Sequence, residues 1–394
     1  MSLCLNMIVK DESHIIEQTL ENICQHFQLD YWVISDTGSS DNTIALIQQF
    51  FKNKAIQGEI HQTVWKNFAH NRNLALAKCR DKADYVLIFD ADDQVDGTLI
   101  LPPLQHDAYY LQMSNEAKTV KYLRKLIIKN DGQFHWKGVL HEFLDNPKEG
   151  KVEEIAGDYV VISGRKGHRS QDEQKYVKDA RMLEQAFSAA EEPELLPRYA
   201  FYCAQSYRDA QLDEQAIQWY QKRIELQQGW FDERYCSYEQ LGLLYEKQQN
   251  YKGALYAWQQ GIALDPLRAE CWYHSARRHS WNKHPALAYC FARQAAELTL
   301  PTGNRLFLKK DMYLYWGTYE WCLTSYQLGK LAESYQAFKR LVEHCPEDLA
   351  QRLLHQLKDY RHLILQDHFQ DVQVLATHLQ RLQMRDALEN ILNG

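Results

Sequence analysis

Three carboxylates crowd the end of an apolar run at residues 85–93 (YVLIFDADD). The run predicts a buried strand over residues 85–89. Asp90, Asp92 and Asp93 then lie within four residues at its exposed end, where their charges repel one another. A divalent cation would neutralise such a group, and Mg²⁺ and Mn²⁺ prefer carboxylate oxygens. The pattern therefore predicts a metal-dependent site, and a solvated acidic turn is the competing interpretation.

Two classes of metal-dependent enzyme use a strand end of this kind. In haloacid-dehalogenase-type phosphatases the first Asp is a nucleophile, the second is an acid, and Thr or Val stands two positions after the second. Gln94 occupies that position here, and the motif comes late, behind two strand–helix units. In enzymes of sugar nucleotides, a D-x-D pair holds Mn²⁺ or Mg²⁺ against the diphosphate. The context favours the second class.

Two further segments carry ligand-binding chemistry. Residues 35–43 (SDTGSSDNT) place Asp36 at the end of a predicted strand, before a glycine turn and a polar helix start. That order is typical of a ligand loop in an open α/β sheet, although a capped turn would look the same. Residues 67–77 (NFAHNRNLALA) open a helix with Arg72 in its first turns, where a guanidinium suits diphosphate oxygens. A hydrated surface arginine is the alternative.

A fourth segment offers acid–base chemistry. Residues 134–143 (FHWKGVLHEF) gather two histidines, a glutamate and a tryptophan around a glycine. His141 and Glu142 are candidates for moving a proton at a binding pocket. A structural His–Glu pair is the simpler interpretation, so this segment gains weight from the other three.

Alternating strands and helices in the first ~165 residues must hold these side chains in position. Short apolar runs and amphipathic stretches follow one another there, which predicts a mostly parallel α/β sheet. The predicted strands are residues 3–9, 31–35 and 85–89, the predicted helices are 14–27 and 43–51, and irregular strands follow at 108–113, 120–129 and 159–163.

From about residue 171 the strand signals stop and a repeat appears. Leu241-Gly242, Tyr245, Ala254, Trp258 and Pro266 match the offsets of the tetratricopeptide pattern, which recurs about every 34 residues. Partial copies in register are Cys203-Ala204/Tyr207/Ala216/Tyr220, Trp272/Ala276/Ala286 and Cys322/Ser334/Phe338/Pro346. In such repeats small residues lie where paired helices touch and aromatic residues fill the holes. We therefore expect Trp258 in the core, and Trp230 and Trp281, which lie outside the repeat slots, at the surface.

Composition excludes several functions. The chain has 394 residues, 45% of them hydrophobic, which supplies cores for more than one domain. A net charge of −7 gives no general attraction for nucleic acid or anionic membrane, and no apolar run reaches the length of a membrane span. Nine scattered cysteines without a CxxC pair indicate reduced, mostly buried thiols. We expect a soluble cytoplasmic protein.

These motifs together resemble a family 2 glycosyltransferase of the GT-A fold. The resemblance rests on residues 7–12 (MIVKDE), 35–43, 72–76 (RNLAL) and 90–93 (DADD). The fusion to tetratricopeptide repeats and the string GVLHE are similar to the bacterial subgroup that includes peptide S-glycosyltransferases and lipopolysaccharide-core transferases. It implies a GT-A α/β domain followed by an all-α solenoid. We expect the transferase domain at 1–170, repeats at 171–348 and capping helices at 349–394.

The resemblance also implies roles for individual residues. Asp36 would contact the nucleobase, Arg72 the nucleotide or its phosphates, and Asp92 a Mn²⁺ or Mg²⁺ ion. Asp90 would lie near the ribose and the metal, and the opening motif adds Val9 and Glu12 to the donor site. His168 follows the basic run 164–167 (GRKG) and is a further metal or diphosphate candidate. A flexible linker is the competing interpretation of that run.

The chain departs from the family pattern in three places. Ser35 and Thr37 flank Asp36, where two adjacent acidic residues are common, and the opening lacks Pro-Thr-Tyr. The usual downstream Glu-Asp base motif is not evident. For the catalytic base we therefore choose Glu142 first, then His141, then Asp131.

The expected activity is metal-dependent, inverting transfer of a sugar from a nucleoside diphosphate, with UDP the expected carrier. The acceptor would be a peptide, protein or glycan selected by the repeats, which could instead form a homodimer. A catalytically silent sugar-nucleotide binder and a pure repeat scaffold are the alternatives. The carboxylates of 90–93 argue against the scaffold. The absence of glycine from residues 9–12 argues against a nucleotidyltransferase.

Overall fold

The structure, a computed structural model, describes residues 2–118, 121–146, 148, 150–164, 166–303 and 305–393. It divides into two units, Met1–Ala216 and Ile217–Gly394. Val120 and Arg165, which the sequence analysis placed in a strand and in a basic run, lie outside the described residues. The predicted domain limits near residues 170 and 348 stay predictions.

A mixed sheet forms the centre of the N-terminal unit. Its strands are β1 (Leu3–Val9), β2 (Tyr31–Asp36), β3 (Gly58–Gln62), β4 (Tyr85–Ile88), β5 (Gln94–Thr98), β6 (Ala108–Ser114), β7 (Lys121–Lys129), β10 (Val152–Glu154) and β11 (Asp158–Ile162). They run in the order β3-β2-β1-β4-β7-β6-β11-β5, with β10 beside β6. The first four are parallel, and β7 is antiparallel to both neighbours. A separate hairpin pairs β8 (His135–Lys137) with β9 (Phe143–Asp145).

Helices complete the α/β layers that the apolar patterns predict. They are α1 (Ile16–His26), α2 (Thr43–Lys54), α3 (Phe68–Lys78), α4 (Lys175–Ala189) and α5 (Leu196–Asp209). Ile16, Leu20 and Ile23 lie one turn apart on α1 and are buried in the sheet core. Strands β3, β5, β8, β9 and β10 escaped the sequence analysis because they are short and polar or exposed on much of their length.

Parallel pairing sets the position of the candidate site. Val9 pairs with Asp36, and Asn6 pairs with Ile88, so β1, β2 and β4 end at the same edge of the sheet. Loops that leave this edge carry the polar motifs, as expected at the carboxyl ends of strands in an open α/β sheet.

Helix pairs build the C-terminal unit. The helices from the boundary onward are α6 (Asp213–Glu225), α7 (Phe231–Lys247), α8 (Tyr251–Leu264), α9 (Ala269–Trp281), α10 (Pro285–Glu297), α11 (Gly317–Gln327), α12 (Leu331–His344), α13 (Glu347–Gln351), α14 (Arg361–Ile364), α15 (Phe369–Arg381) and α16 (Arg385–Asn393). The first repeat match falls on the consecutive helices α5 and α6, and the other three fall on the packed pairs α7–α8, α9–α10 and α11–α12. The predicted fold class, a GT-A-like α/β domain followed by tetratricopeptide-like repeats, is confirmed.

The α7–α8 pair shows why the repeat uses these residue types. A Cβ atom on Gly242 of α7 would lie 2.2 Å from Nε1 of Trp258 on α8, so only glycine fits beneath the indole. Trp258 is fully buried, as predicted. Trp230 and Trp281 are 42% and 58% exposed, which confirms the division between core and surface tryptophans.

The structure also bears on the predictions about the cysteines and about membrane-spanning segments. The nine cysteines are free thiols, and all but Cys24 and Cys290 are buried. Among the residues that the structure describes, no helix is long and apolar enough to cross a membrane.

Candidate active site

Asp90, just beyond β4, is the centre of an ion-pair network. Its Oδ1 accepts a hydrogen bond of 2.6 Å from Nη2 of Arg72, and its Oδ2 accepts one of 2.9 Å from Nη1 of Arg124. These two guanidinium charges hold the pKa of Asp90 well below its usual range, although burial opposes them. Asp90 is therefore an anion with both carboxylate oxygens already bonded.

Arg124 is a member of this network that the sequence analysis missed. It lies on β7, which is antiparallel to β4 and brings the side chain back to Asp90. The negative charges of Asp90 and Asp93 raise the pKa of Arg124. Its segment, KYLRKLIIK, has no motif, and a basic residue on a strand alone does not indicate a site.

Arg72 connects Asp90 to the acid–base candidate. Its Nε donates a hydrogen bond of 2.7 Å to Oε1 of Glu142, and its guanidinium carbon lies 4.9 Å from the centre of the Trp136 ring. Asn73, the next residue of α3, bonds to both the N–H and the C=O of Trp136. This clamp fixes the β8–β9 hairpin against α3 and so places Glu142 opposite Arg72.

His141 lies beside Glu142 but faces other partners. Its backbone has a φ of 53°, its ring stacks on Tyr202 with centroids 3.9 Å apart, and its carbonyl accepts a hydrogen bond from Arg198. Desolvation by the surrounding protein and the charge of Arg198 lower the pKa of His141. The residue as a whole is exposed, so a ligand can reach it.

A second acidic group lies beside the backbone of Gly167 and His168. The N–H of Gly167 donates to Oδ2 of Asp92 at 3.2 Å, and the N–H of His168 donates to the carboxylate of Glu12 at 3.3 Å. A Cβ atom on Gly167 would lie 3.0 Å from Asp92 and 3.2 Å from Glu12, so glycine lets the backbone approach both carboxylates.

Negative charge in this second group and the neighbouring Asp93 is only partly balanced, because Nη1 of Arg124 lies 4.0 Å from Oδ2 of Asp93. Burial and the charge of Asp92 raise the pKa of Glu12 to about 7. Burial and the charge of Asp90 raise the pKa of Asp92, and they raise that of Asp93 to about 8. Oδ2 of Asp93 is buried without a hydrogen-bond partner among the described residues. A cation would relieve this repulsion.

Asp36 and Val9 lie at the same edge of the sheet, where β1 and β2 end. The buried Asp36 carboxylate accepts hydrogen bonds from the N–H groups of Gly38 at 3.0 Å and Ser39 at 3.1 Å. The carbonyl of Val9 accepts one from the N–H of Thr37 at 2.9 Å. In this structure both residues hold their own turn, and the predicted contact between Asp36 and a nucleobase stays a prediction.

A known protein family matches the part of the chain that forms this edge of the sheet. The family model of glycosyl transferase family 2 matches residues 4–109, which run from β1 into β6. The N-terminal unit carries a family 2 glycosyltransferase domain. Of the predicted site residues, Glu142, His141 and His168 lie outside the matched part. No curated protein matches the chain.

Several solved structures resemble the chain distantly. The crystal structure of S. aureus TarS 1–349 in complex with UDP-GlcNAc is 15% identical, covers 84% of this chain and 92% of its own, and has a TM-score of 0.35. YrrB, described as a TPR protein with an unusual peptide-binding site, is 16% identical over 53% of this chain and 89% of its own, with a TM-score of 0.34.

The glycosyltransferase domain fits a divalent cation in part. In the described part of the chain, no three His, Cys, Asp or Glu side chains are grouped closely enough to hold a metal ion. The predicted set of Asp90, Asp92 and His168 is thus not assembled, and Asp90 is bonded to two arginines. Asp92 fits best, because it is a carboxylate with a raised pKa in the unbalanced group. The metal stays a prediction.

Asp131, the third choice for the base, lies away from this site. It follows β7, whose last residue Lys129 pairs with Tyr85 at the amino end of β4. Asp131 therefore lines a surface cleft with Ser2 and Asp84, at the opposite edge of the sheet from Asp90. Since it cannot reach an acceptor bound near Asp90, we drop it as a base.

Proposed function

We propose that the protein is a metal-dependent inverting glycosyltransferase that moves a sugar from a nucleoside diphosphate to a peptide, protein or glycan. The observation that supports this most is the convergence of Glu12, Asp36 and Asp90 at one sheet edge, within or beside loops that the family model covers. An acidic edge of this kind suits a donor whose diphosphate arrives with a cation.

Donor binding would use the unbalanced carboxylates. Asp92 would hold the Mn²⁺ or Mg²⁺ ion, with Glu12 and the backbone of Gly167 and His168 beside it. The cation would offset the charge that develops on the leaving nucleoside diphosphate. Ligation by Asp90 would require it to exchange one arginine contact, so we assign Asp90 to positioning Arg72 and Arg124.

Glu142 would accept the proton from the acceptor nucleophile. Its Oε1 is bonded to Arg72, which fixes the direction of the carboxylate, and we assign proton uptake to Oε2. Arg72 thereby links the base to Asp90 and holds both at fixed spacing, which is what in-line attack at the anomeric carbon requires. His141 is the second candidate, because it is exposed and adjoins Glu142, although its lowered pKa makes it a weaker base than an ordinary imidazole.

A catalytically silent sugar-nucleotide binder is the second candidate function. The double pairing of Asp90 with Arg72 and Arg124 favours it, since a carboxylate bonded on both oxygens is a poor metal ligand. Cytoplasmic location, the homodimer and the choice of UDP stay predictions from the sequence.

A thermal-shift screen tests the proposal. UDP-, GDP-, TDP- and CMP-sugars would be added to the full chain with and without Mn²⁺. A ligand that binds only the folded state at 100 times its Kd stabilises by about 2.7 kcal/mol. We expect a Mn²⁺-dependent rise in Tm with one donor, its loss in Asp92→Asn, and its retention in Asp96→Asn, which removes the same charge from an exposed position.

Two further outcomes separate the candidates. A donor that binds but is neither hydrolysed nor transferred would favour the silent binder. No shift with any donor, with or without Mn²⁺, would contradict both.

A further inference from the structure

A long connection in the C-terminal unit returns across the helices that precede it. Residues 298–311 join α10 to a π-helical turn at Met312–Trp316, whereas only 265–268 join α8 to α9. Connections of this length within compact domains usually carry a function. Residues 305–309 (RLFLK), which we name the strap, make the contacts described next.

The first end of the strap is bound through a cation and a backbone N–H. The Arg305 guanidinium pairs with the carboxylate of Asp232 at 3.0 Å and with that of Asp265. The N–H of Leu306 donates to Oδ2 of Asp232 at 2.8 Å. The buried carboxylate of Asp232 thus binds both the side chain of Arg305 and the main-chain N–H of Leu306.

The rest of the strap is bound in the same way. Nη1 of Arg268 donates to the carbonyl of Leu306 at 3.0 Å, and the N–H of Lys309 donates to Glu270 at 3.2 Å. The ammonium group of Lys309 pairs with Glu239. Main-chain bonds supply affinity and side-chain pockets supply selectivity when proteins bind extended peptides. The strap is therefore bound through both its main chain and its two cationic side chains, as a peptide ligand would be.

The receptor side of these contacts is an acidic surface, apart from Arg268, which pairs with Glu270. Asp232 and Glu239 lie seven residues apart on α7, and Glu270 lies on the neighbouring α9. All three are at most 3% exposed. Oε2 of Glu239 is buried with no hydrogen-bond partner among the described residues, so the surface has acceptor capacity that the strap does not use.

The strap also contains a strained residue. Phe307 has a φ of 50°, a conformation that bulky L-residues rarely adopt. A separate peptide would not be tied to the chain at both ends and would not need this bend.

We propose that this acidic surface on α7 and α9 binds basic peptide segments with two cations four residues apart, and that the strap is its internal ligand. The strap competes at the millimolar effective concentration typical of short tethers, so it masks the surface from weak ligands. The proposal concerns binding by the C-terminal unit and does not depend on sugar transfer.

Binding of a strap peptide in trans tests the proposal. The probe is a fluorescein-labelled peptide of residues 305–311 (RLFLKKD), measured by anisotropy against the full chain. In Arg305→Gln/Lys309→Gln the internal ligand loses both cations, and we expect at least tenfold tighter binding than in the wild type. Lys310→Gln, which alters an exposed lysine of the same segment, should match the wild type. A peptide with glutamine in place of Arg305 and Lys309 should bind at least tenfold more weakly than the unaltered peptide.

Hydrogen exchange in the wild type provides a second measurement that needs no variant. Excess peptide should speed exchange of the Leu306 and Lys309 amides, which are bonded to Asp232 and Glu270. Unchanged exchange at millimolar peptide would overturn the proposal. So would equal binding of the charged and neutral peptides, or a folded double variant that binds no better than Lys310→Gln.

Discussion

The two units both bury ionised side chains, but they balance the charges differently. In the C-terminal unit, Asp232, Glu239 and Glu270 each contact a cation of the same chain. In the N-terminal unit, arginines balance Asp90, while Glu12, Asp92 and Asp93 keep raised pKa values.

This difference indicates what each network is for. Burying a charge is costly unless it is paired, so a paired network fixes a structure. An unbalanced group of carboxylates costs stability and is tolerated where a ligand supplies the missing charge. This reasoning supports our proposal that the sheet edge binds a cationic ligand, whereas the surface on α7 and α9 already contacts the cations of the strap.

The largest effect is expected from a substitution that breaks the Arg72–Glu142 pair. Glu142→Gln should lower the transfer rate by about 10²–10⁴-fold, because it removes the proposed general base without changing its shape. Donor affinity, measured by thermal shift, should stay near that of the wild type. His141→Ala is the comparison variant, and it should be mild. The reverse pattern would transfer the role of base to His141, and equal loss of donor binding in both variants would place the pair at the metal.

Removing charge from the unbalanced group should have the next largest effect. We expect Asp92→Asn to lower turnover by about 10²–10³-fold, the range for losing one preorganised electrostatic group. The ligand-free protein should be as stable as the wild type or more stable, since repulsion with its acidic neighbours is relieved. Steady-state rates with Mn²⁺ and Tm without it are the measurements. Unchanged turnover would contradict the metal assignment.

How far the sequence could predict this site depends on where each residue lies along the chain. Asp90 and Asp36 follow strands that read clearly as apolar runs, so strand order alone brings them to one edge. Arg124 reaches the same place through an antiparallel strand, whose pairing partner no local pattern reveals. The sequence therefore predicts Arg72 and Asp90 as site residues, but it does not predict Arg124.

The strap shows the same limit in the C-terminal unit. The segment Pro-Thr-Gly-Asn at 301–304 correctly predicts a break after the third helix pair, because such residues favour turns. The path of residues 305–309 depends on ion pairs with Asp232 and Glu239, about seventy positions earlier in the chain. Helical periodicity carries no information about such pairings.

A tryptophan substitution tests whether packing supports the paired network. Trp258 is fully buried, stacks on His274 and donates a hydrogen bond from Nε1 to the carbonyl of Glu239. Trp258→Ala should destabilise the protein by about 3–5 kcal/mol, as large-to-small changes of buried aromatic residues do. Trp281→Ala, at a 58% exposed position, should cost less than about 1 kcal/mol. Denaturant unfolding measures both, and equal losses would contradict the assigned packing.

The smallest expected effect concerns an exception within the C-terminal unit. Glu320 on α11 is buried, its Oε2 has no hydrogen-bond partner among the described residues, and burial raises its pKa to about 7 although the charge of Arg277 opposes this. The folded protein therefore keeps this carboxyl protonated above the pH at which the unfolded chain releases the proton. Its contribution to stability is present below about pH 4.3 and is lost as the pH rises to about 7.

Glu320→Gln removes this titration. We expect the free energy of unfolding of the variant, relative to that of the wild type, to improve by about 2–3 kcal/mol between pH 5 and pH 8, at about 1.4 kcal/mol for each unit of pKa shift. Glu343→Gln, at an exposed position, controls for the loss of one carboxylate. Denaturant unfolding at both pH values is the measurement. A difference between Glu320→Gln and wild type that does not change with pH would show that Glu320 is ionised when buried. The charge of Glu320 would then be balanced within the folded protein, like the charges of Asp232, Glu239 and Glu270 in the same unit.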